Sequence, residues 1–344
     1  MSGAPPKPEP QPPGTPGAAG KKRAHSGSSS NSNSSKRARK TRAALTKIIK
    51  SPNLAPDRPV PQIVTDAKRA LEWLYAEAKL TAAVEGRWRT LTGRQQVLSF
   101  GKLLGAVHSL DVLKRNGYPM GPVSAPEHNP NLQPPKRQAV AIDCEMVGVR
   151  NAEDGTKKDY LIQVCAVDFL TGEPLLVKVV VLPAHFKVDD WRTTYSGMSQ
   201  EVFDFFKMNG EAVEGIEGVQ KALYEFIDED TILVGHALHN DLKHLGIVHH
   251  NVCDTAIFTQ EVVSEHLDKE DRKQGARCGR TWKLSTLCRQ LLERPVQVGN
   301  HICLEDAYAA REVLLWCLEQ KNETCLNHWA KERKEEGGFR LLYG

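Results

Sequence analysis

The spacing of apolar residues divides the chain into segments of different character. The first residues are rich in Pro, Gly and Ser, with almost no large apolar residue before Leu45, which is typical of disorder. A stretch with apolar residues at helical spacing follows, then a Pro/Gly/Asn-rich stretch, and then alternating strand and helix patterns. We therefore predict a disordered basic tail over 1–60, a small helical accessory segment over 61–117, a linker over 118–136, a catalytic domain over 137–320 and a C-terminal extension over 321–344.

Within the accessory segment, the sequence indicates two helix starts. Thr65 or Asp66 could cap a first helix that carries apolar residues on one face. Thr92 and Gln95 have the spacing of a capping box, and the apolar run after them passes through Val97, Phe100, Leu104 and Val107. The pair Asn116–Gly117 is a plausible stop for this helical run.

From residue 137 onward, short apolar runs bounded by turn residues predict strands, and runs of helical period predict helices. The predicted strands are Gln138–Met146, Tyr160–Asp168, Leu175–Leu182, Thr231–Val234 and Val252–Asp254. The predicted helices are 199–207, 214–227, Leu238–Leu245, Lys283–Leu292 and Leu304–Leu318. Three early strands followed by alternation predict an α/β fold, with a mixed sheet flanked by helices.

Charge is distributed unevenly along the chain. The formal net charge is +4, yet the first fifty residues hold eleven Lys/Arg and a single acid, Glu9. Two basic clusters, Lys21–Arg23 and Lys36–Lys40, flank a Ser/Asn spacer, which suits a bipartite import signal bound by a nuclear import receptor. The alternative is a solvated tail that binds RNA phosphates without sequence preference. We expect a nuclear protein, with the nucleolus as one location.

Composition argues against several other classes of protein. The sequence has no apolar run of about 18 residues, the minimum for a membrane span, and no apolar stretch near its start of the kind that a secretory signal needs. The eight cysteines include no C-x-x-C pair, so a structural zinc site is not expected. We therefore expect no membrane partner and a reducing compartment.

Two acids, Asp143 and Glu145, end the first predicted strand of the domain. Side chains two apart on a strand point to the same face, and two carboxylates on a buried face need a neutralising partner. A divalent cation is such a partner, whereas the alternative is a strand end with two solvated acids.

Three more candidate residues follow at separate places. Asp241 follows a Gly-His turn at the start of a predicted helix, although Asn-Asp is also a common helix start. His301 precedes the last helix of the domain, and Asp306 lies in its first turn or so. Taken singly, a histidine before a helix is more often a packing or capping residue.

Taken in order, these motifs resemble those of the DEDDh 3′→5′ exonuclease family, which has an RNase H-like (DnaQ-like) fold. The match is best to the Rex-type branch of RNA exonucleases. The segments that carry it are Asp143–Gly148, Tyr195–Met198, Gly235–Asp241, Cys253–Thr255 and His301–Ala307, and Asn116–Pro119 resembles a segment upstream of the domain in some members.

The resemblance implies a two-metal exoribonuclease. Asp143, Glu145, Asp241 and Asp306 would hold two Mg²⁺ ions, with Mn²⁺ as a substitute, and His301 would act as general base. The expected reaction shortens the 3′ ends of single-stranded RNA and releases nucleoside 5′-monophosphates. The expected setting is nuclear RNA processing, such as rRNA precursor maturation.

Two alternatives remain open from the sequence. One is a DNA 3′→5′ exonuclease in repair, and the other is a catalytically silent nucleic-acid-binding scaffold. Weaker substrate-binding candidates, partly by family analogy, are Met146, Val147, His236, Asn240 and Lys283. Trp282 could stack on a base, although a lone Trp is more often part of a core.

Overall fold

The computed structural model describes residues 88–131, 134–319 and 322–343. The predicted tail, its two basic clusters and the predicted helix that begins at Thr65 or Asp66 lie outside these residues. Within them, no helix is long and apolar enough to cross a membrane.

A seven-stranded mixed sheet organises the domain. Its strands are β1 (Ala139–Asn151), β2 (Lys157–Asp168), β3 (Pro174–Val181), β4 (Phe186–Asp190), β5 (Ala212–Glu214), β6 (Ile232–Gly235) and β7 (Val252–Asp254). Their order is β5-β3-β2-β1-β6-β7, and β4 pairs with the far end of β1. Strand β2 is antiparallel to both of its neighbours, β1 and β3, whereas β6 runs parallel to β1 and to β7.

The central position of β1 follows from its sequence. Residues 139–142 are apolar and fully buried, as expected for a strand covered on both faces. The register between β1 and β2 shifts between Glu145 and Met146. Such a bulge bends a strand and re-aims its side chains, and here it directly follows the second predicted catalytic acid.

Helices cover the sheet. They are α1 (Gly93–Leu104), α2 (Leu110–Arg115), α3 (Thr193–Ser196), α4 (Gln200–Met208), α5 (Gly215–Leu223), α6 (His239–Leu245), α7 (Thr255–Glu265), α8 (Lys269–Lys273), α9 (Leu284–Leu291), α10 (Cys303–Leu318) and α11 (Glu323–Glu336). The longest, α10, packs against β1 and β2 and is buried along almost its whole length. A separate two-stranded antiparallel sheet pairs β8 (Ala276–Cys278) with β9 (Leu341–Tyr343).

The predicted strands and helices of the domain are confirmed to within a few residues at their ends. The sequence patterns gave no sign of α7, of the small β8–β9 sheet or of α11 within the expected C-terminal extension. The capping box is confirmed, since Oγ1 of Thr92 accepts from the amide of Gln95. The apolar run proposed for that helix is confirmed in part. Phe100 and Val107 pack against the core, whereas Val97 is 74% and Leu104 56% exposed, and Leu103, which was not in the run, is fully buried.

The described part of the accessory segment packs against the catalytic domain. Trp88 stacks on Tyr308 of α10, with ring centroids 5.6 Å apart and an interplanar angle of 4°. Nε of Arg89 lies 2.8 Å from a carboxylate oxygen of Glu312, also on α10. Leu103 belongs to a core cluster with Ala139 of β1. The stretch from Trp88 through α1 is therefore held by aromatic, ionic and apolar contacts to α10 and to the sheet.

Candidate active site

Strand β1 supplies two carboxyl groups to one place. Asp143 and Glu145 lie opposite Cys165 and Gln163 of β2 and share a face of the sheet. Glu145 is 8% exposed. The main-chain oxygen of Asp143 also accepts a hydrogen bond from the Cys303 thiol, 3.1 Å away, which joins β1 to the first residue of α10.

Asp241 reaches the same region from the first turn of α6. The turn that precedes α6 contains Ala237 at a φ of 55°, a left-handed conformation that costs energy for a residue with a Cβ. Asp254 compensates, because its carboxylate accepts from the amides of Ala237 (2.9 Å) and Leu238 (3.0 Å). Asp241 is 6% exposed.

His301 and Asp306 come from the start of α10 and the loop before it. Nδ1 of His301 lies 3.4 Å from Oδ2 of Asp306, which also accepts from Nε2 of Gln297 at 3.0 Å. The amide of His301 donates to the carbonyl of Tyr195 (3.1 Å). Gly197 makes this approach possible, because a Cβ at that residue would lie 2.5 Å from the carbonyl oxygen of His301.

The charges of the four predicted acids act on one another across the site. Burial, followed by the charges of Asp306, Asp241 and Glu145, raises the pKa of Asp143 well above its usual value. Burial and the charges of Asp306 and Asp241 raise the pKa of Glu145 to about 9. Burial, together with the charge of Asp254, raises the pKa of Asp241 to about 8. Carboxyl groups packed this closely cannot all ionise unless positive charge lies among them.

The donor set fits a divalent cation. Ligand atoms of Glu145, His301 and Asp306 lie within 4.8 Å of one another. Oδ1 of Asp306 is buried and has no hydrogen-bond partner among the described residues, so it is free to coordinate an ion. The carboxylate oxygens of Glu145 and Asp306 are hard donors, which suit Mg²⁺ or Mn²⁺.

The histidine of the site has a different environment from that of the acids. The hydrogen bond to Asp306 raises the pKa of His301, and the nearby charge of Lys283 acts in the opposite direction. Lys283 is exposed, and its charge is close enough to affect the pKa of His301. A contact between Lys283 and a substrate phosphate stays a prediction. His301 is half-buried, so its ring is accessible to a substrate or a water molecule.

The remaining substrate-binding candidates are placed differently. Met146 is half-buried and Asn240 is exposed, so both stay predicted contacts. Val147 is 0% exposed and packs in the core, which leaves no side-chain surface for a base, and that role does not fit it. Nδ1 of His236 hydrogen-bonds Oγ1 of Thr255 at 2.9 Å, and burial lowers the pKa of His236. The neutral ring of His236 therefore links the turn before α6 to the start of α7.

Trp282 is a core residue. It is 3% exposed and packs edge-on against Trp329, with ring centroids 5.2 Å apart. Stacking on a base is therefore not its role in this conformation.

Asp254 and Gln297 were missed by the sequence reasoning. Asp254 lies in a quoted motif and could have been recognised as a helix cap, whereas Gln297 lies in a loop without any pattern.

Comparison with known proteins gives a family for this arrangement. The family model RNase_T, described as an exonuclease, matches residues 140–314, just over half of the chain. RNA exonuclease 3 of Candida albicans is 29% identical over 54% of this chain and 39% of its own length. RNA exonuclease 4 of Xenopus laevis is 34% identical over 54% of this chain and 38% of its own length.

A solved structure also aligns with the chain. The Pan2 pseudoubiquitin hydrolase-RNA exonuclease module of Saccharomyces cerevisiae covers 66% of this chain and is itself covered over 36%, with 24% identity and a TM-score of 0.46. The curated relatives that the chain matches are longer, and it spans between 20% and 45% of their length. The mixed α/β sheet and the family match together confirm the predicted RNase H-like fold.

Proposed function

Because the chain belongs to the RNase_T exonuclease family, we propose that it is a 3′→5′ exoribonuclease that releases nucleoside 5′-monophosphates. The observation that carries this proposal is that Asp143 feels the charges of Asp306, Asp241 and Glu145, while ligand atoms of Glu145, His301 and Asp306 lie within 4.8 Å of one another. Relatives named RNA exonuclease and small RNA degrading nuclease favour RNA as the substrate.

The acids would hold the metal and the histidine would handle the proton. Asp143, Glu145, Asp241 and Asp306 have the donor atoms for two Mg²⁺ ions, and Mn²⁺ has the same preference for oxygen ligands. When bound, such ions lower the pKa of water and stabilise the charge on the attacking and leaving oxygens of an in-line displacement. With Nδ1 facing Asp306, His301 presents Nε2 to take the proton from the attacking water.

Each residue has a distinct contribution to the site. The Asp306 carboxylate holds the His301 ring in orientation and raises its proton affinity. Gln297 fixes Asp306 through Oδ2, which leaves Oδ1 for coordination. Because the acids are buried and the histidine is half-buried, the substrate phosphate would enter from the side of His301 and exposed Lys283.

The first test compares 5′-labelled single-stranded RNA and DNA of matched sequence, with Mg²⁺ or with EDTA. We expect stepwise shortening of RNA from its 3′ end, lost with EDTA and in Asp143→Ala. Asp230→Ala is the matched control, since this aspartate is exposed and remote from the acidic cluster. For His301→Ala we expect a loss of about 10²–10⁴-fold, the usual scale for a general base.

The outcomes separate the alternatives. Shortening mainly of DNA would keep the mechanism and move the substrate to DNA, as in repair. Binding of RNA without shortening of either substrate would favour the scaffold role. An Asp143→Ala protein with nearly full activity would contradict the metal-binding assignment.

We further propose that the protein acts in the nucleus, the nucleolus included, on precursors such as those of rRNA. The basic clusters Lys21–Arg23 and Lys36–Lys40 support this, because their spacing suits an import receptor. A fluorescent protein that carries residues 1–60 should accumulate in nuclei. The same fusion with alanines in both clusters should not, and equal distribution of the two would refute the import signal.

A further inference from the structure

Asp254, at the end of β7, is a buried junction of hydrogen bonds. Its side chain is 0% exposed and accepts four of them. Oδ1 accepts from the amides of Ala237 (2.9 Å) and Ala256 (2.8 Å), and Oδ2 accepts from the amide of Leu238 (3.0 Å) and the hydroxyl of Tyr118 (2.6 Å). All four partners donate, so both carboxyl oxygens of Asp254 act as acceptors.

This junction sets the position of Asp241. The two amides at Ala237 and Leu238 belong to the strained turn, and α6 begins at the next residue, His239. Since a helix is rigid, the direction of its first turn decides where Asp241 points. A displacement of Asp254 would therefore be transmitted to one of the four predicted metal ligands.

Tyr118 reaches this junction from outside the part of the chain that matches the exonuclease family. It follows α2, is 4% exposed, and its ring lies 5.7 Å from that of His239. The chain shortly before Tyr118 also lies along the edge of β7. The amide of His108 donates to the carbonyl of Val252 (2.9 Å), and the thiol of Cys253 donates to the carbonyl of Ala106 (3.2 Å). The accessory segment is thus bonded to the strand that carries Asp254.

We propose that Tyr118 is a positioning residue, through which the accessory segment holds Asp254 and thereby the turn that places Asp241. This inference rests on the proposed function, since it concerns the same acidic cluster. It gives the segment before the catalytic domain a role in catalysis that does not require it to touch the substrate.

The test is Tyr118→Phe, which removes the hydroxyl and keeps the ring. We expect kcat to fall about 10–100-fold and the Mg²⁺ concentration for half-maximal activity to rise, as when a residue that supports a metal ligand is changed. The KM for RNA should stay the same, because Tyr118 is buried away from the substrate. A merely structural role would lower the melting temperature without changing the dependence on Mg²⁺.

Tyr308→Phe is the matched control. It also removes a tyrosine hydroxyl with a hydrogen bond to a single acceptor, the carbonyl of Gly172, 2.8 Å away. Tyr308 follows Asp306 by two residues, which places it about 200° around the α-helix. We expect this variant to lose stability while its kcat and its Mg²⁺ dependence stay at the wild-type level.

A double-mutant cycle with Asp254→Asn completes the experiment. If Tyr118 acts through Asp254, the double variant should be no less active than Asp254→Asn alone. Wild-type kcat and Mg²⁺ dependence in Tyr118→Phe, or losses that multiply in the double variant, would overturn the positioning role and leave the proposed function intact. An inactive wild-type protein would instead overturn the proposed function and this inference with it.

Discussion

The raised pKa values of the acidic cluster predict that the site destabilises the protein when no cation is present. The variant that tests this is Asp241→Asn, which keeps the shape of the side chain and removes its charge. In the folded protein without metal, the pKa of Asp241 is about 8, against an ordinary value of 3.8. The folded state therefore binds this proton more tightly than the unfolded chain does.

The sign and the size of the effect follow from this difference. A carboxyl group with a raised pKa stabilises the fold fully at pH below about 4, and this contribution is lost as the pH rises toward 8. At pH 7 the resulting loss in the free energy of unfolding is on the order of 4 kcal/mol, at about 1.4 kcal/mol per pKa unit. The backbone amides of Asp241 and Cys144 donate to the carboxylate and stabilise it. An asparagine side chain at this position would lose part of this stabilisation. We therefore expect Asp241→Asn to be about 2 kcal/mol more stable than wild type.

The assay is thermal unfolding in EDTA from pH 5 to pH 8. For a domain of this size, about 2 kcal/mol corresponds to a rise in Tm of about 4–8 °C. The rise should be small at pH 5 and grow with pH. In saturating Mg²⁺ the order should reverse, because wild type gains stability from binding the ion and the variant gains less. Exonuclease activity should be lost in the variant under all conditions.

Two results would refute this reasoning. One is a variant that is less stable than wild type in EDTA at pH 8. The other is a difference in Tm that does not change between pH 5 and pH 8. Either would mean that burial and the charge of Asp254 do not raise the pKa of Asp241 in the folded protein, and this argument for a cation beside Asp241 would fail.

Three further predictions concern the loop before α10, its histidine and the contact of Trp88. Gly197→Ala should lower kcat about 10²-fold in single-turnover assays, because the new Cβ would displace the carbonyl of His301 and a shift of about 1 Å is costly in an active site. The hydrogen bond to Asp306 raises the pKa of His301, so the acid limb of the kcat/KM profile should lie above pH 6.5 and disappear in His301→Gln. Trp88→Ala should cost about 3–5 kcal/mol in urea unfolding, since it removes the ring stacked on Tyr308. Unchanged values in these three measurements would contradict the contacts concerned.

The sequence was most informative where one physical requirement determines the residue types. The apolar run of β1 followed by two acids predicts a buried strand that ends in two carboxyl groups on one face, and the structure has Asp143 and Glu145 there. Asp241 and Asp306 are expected at the same end of the sheet as these two acids. Parallel strands and the helices that follow them return the chain to that end.

The sequence was least informative where tertiary contacts decide the outcome. Helical spacing predicts an apolar face but not which flank meets the core, so Val97 was expected inside and Leu103 was overlooked. Helix α7 is buried on several sides and lacks a clear period. The partners of Asp254 lie far apart in sequence, and only the folded chain reveals that Tyr118 is among them.

The mixed order of the sheet also has a consequence for synthesis on the ribosome. Asp143 lies on the first strand and Asp306 on the long buried helix α10, and about 160 residues of chain separate them. At roughly 5–20 residues per second, the ribosome needs about 8–30 s to pass from one to the other. A nascent chain that has not yet reached α10 therefore carries an incomplete set of the proposed ligands.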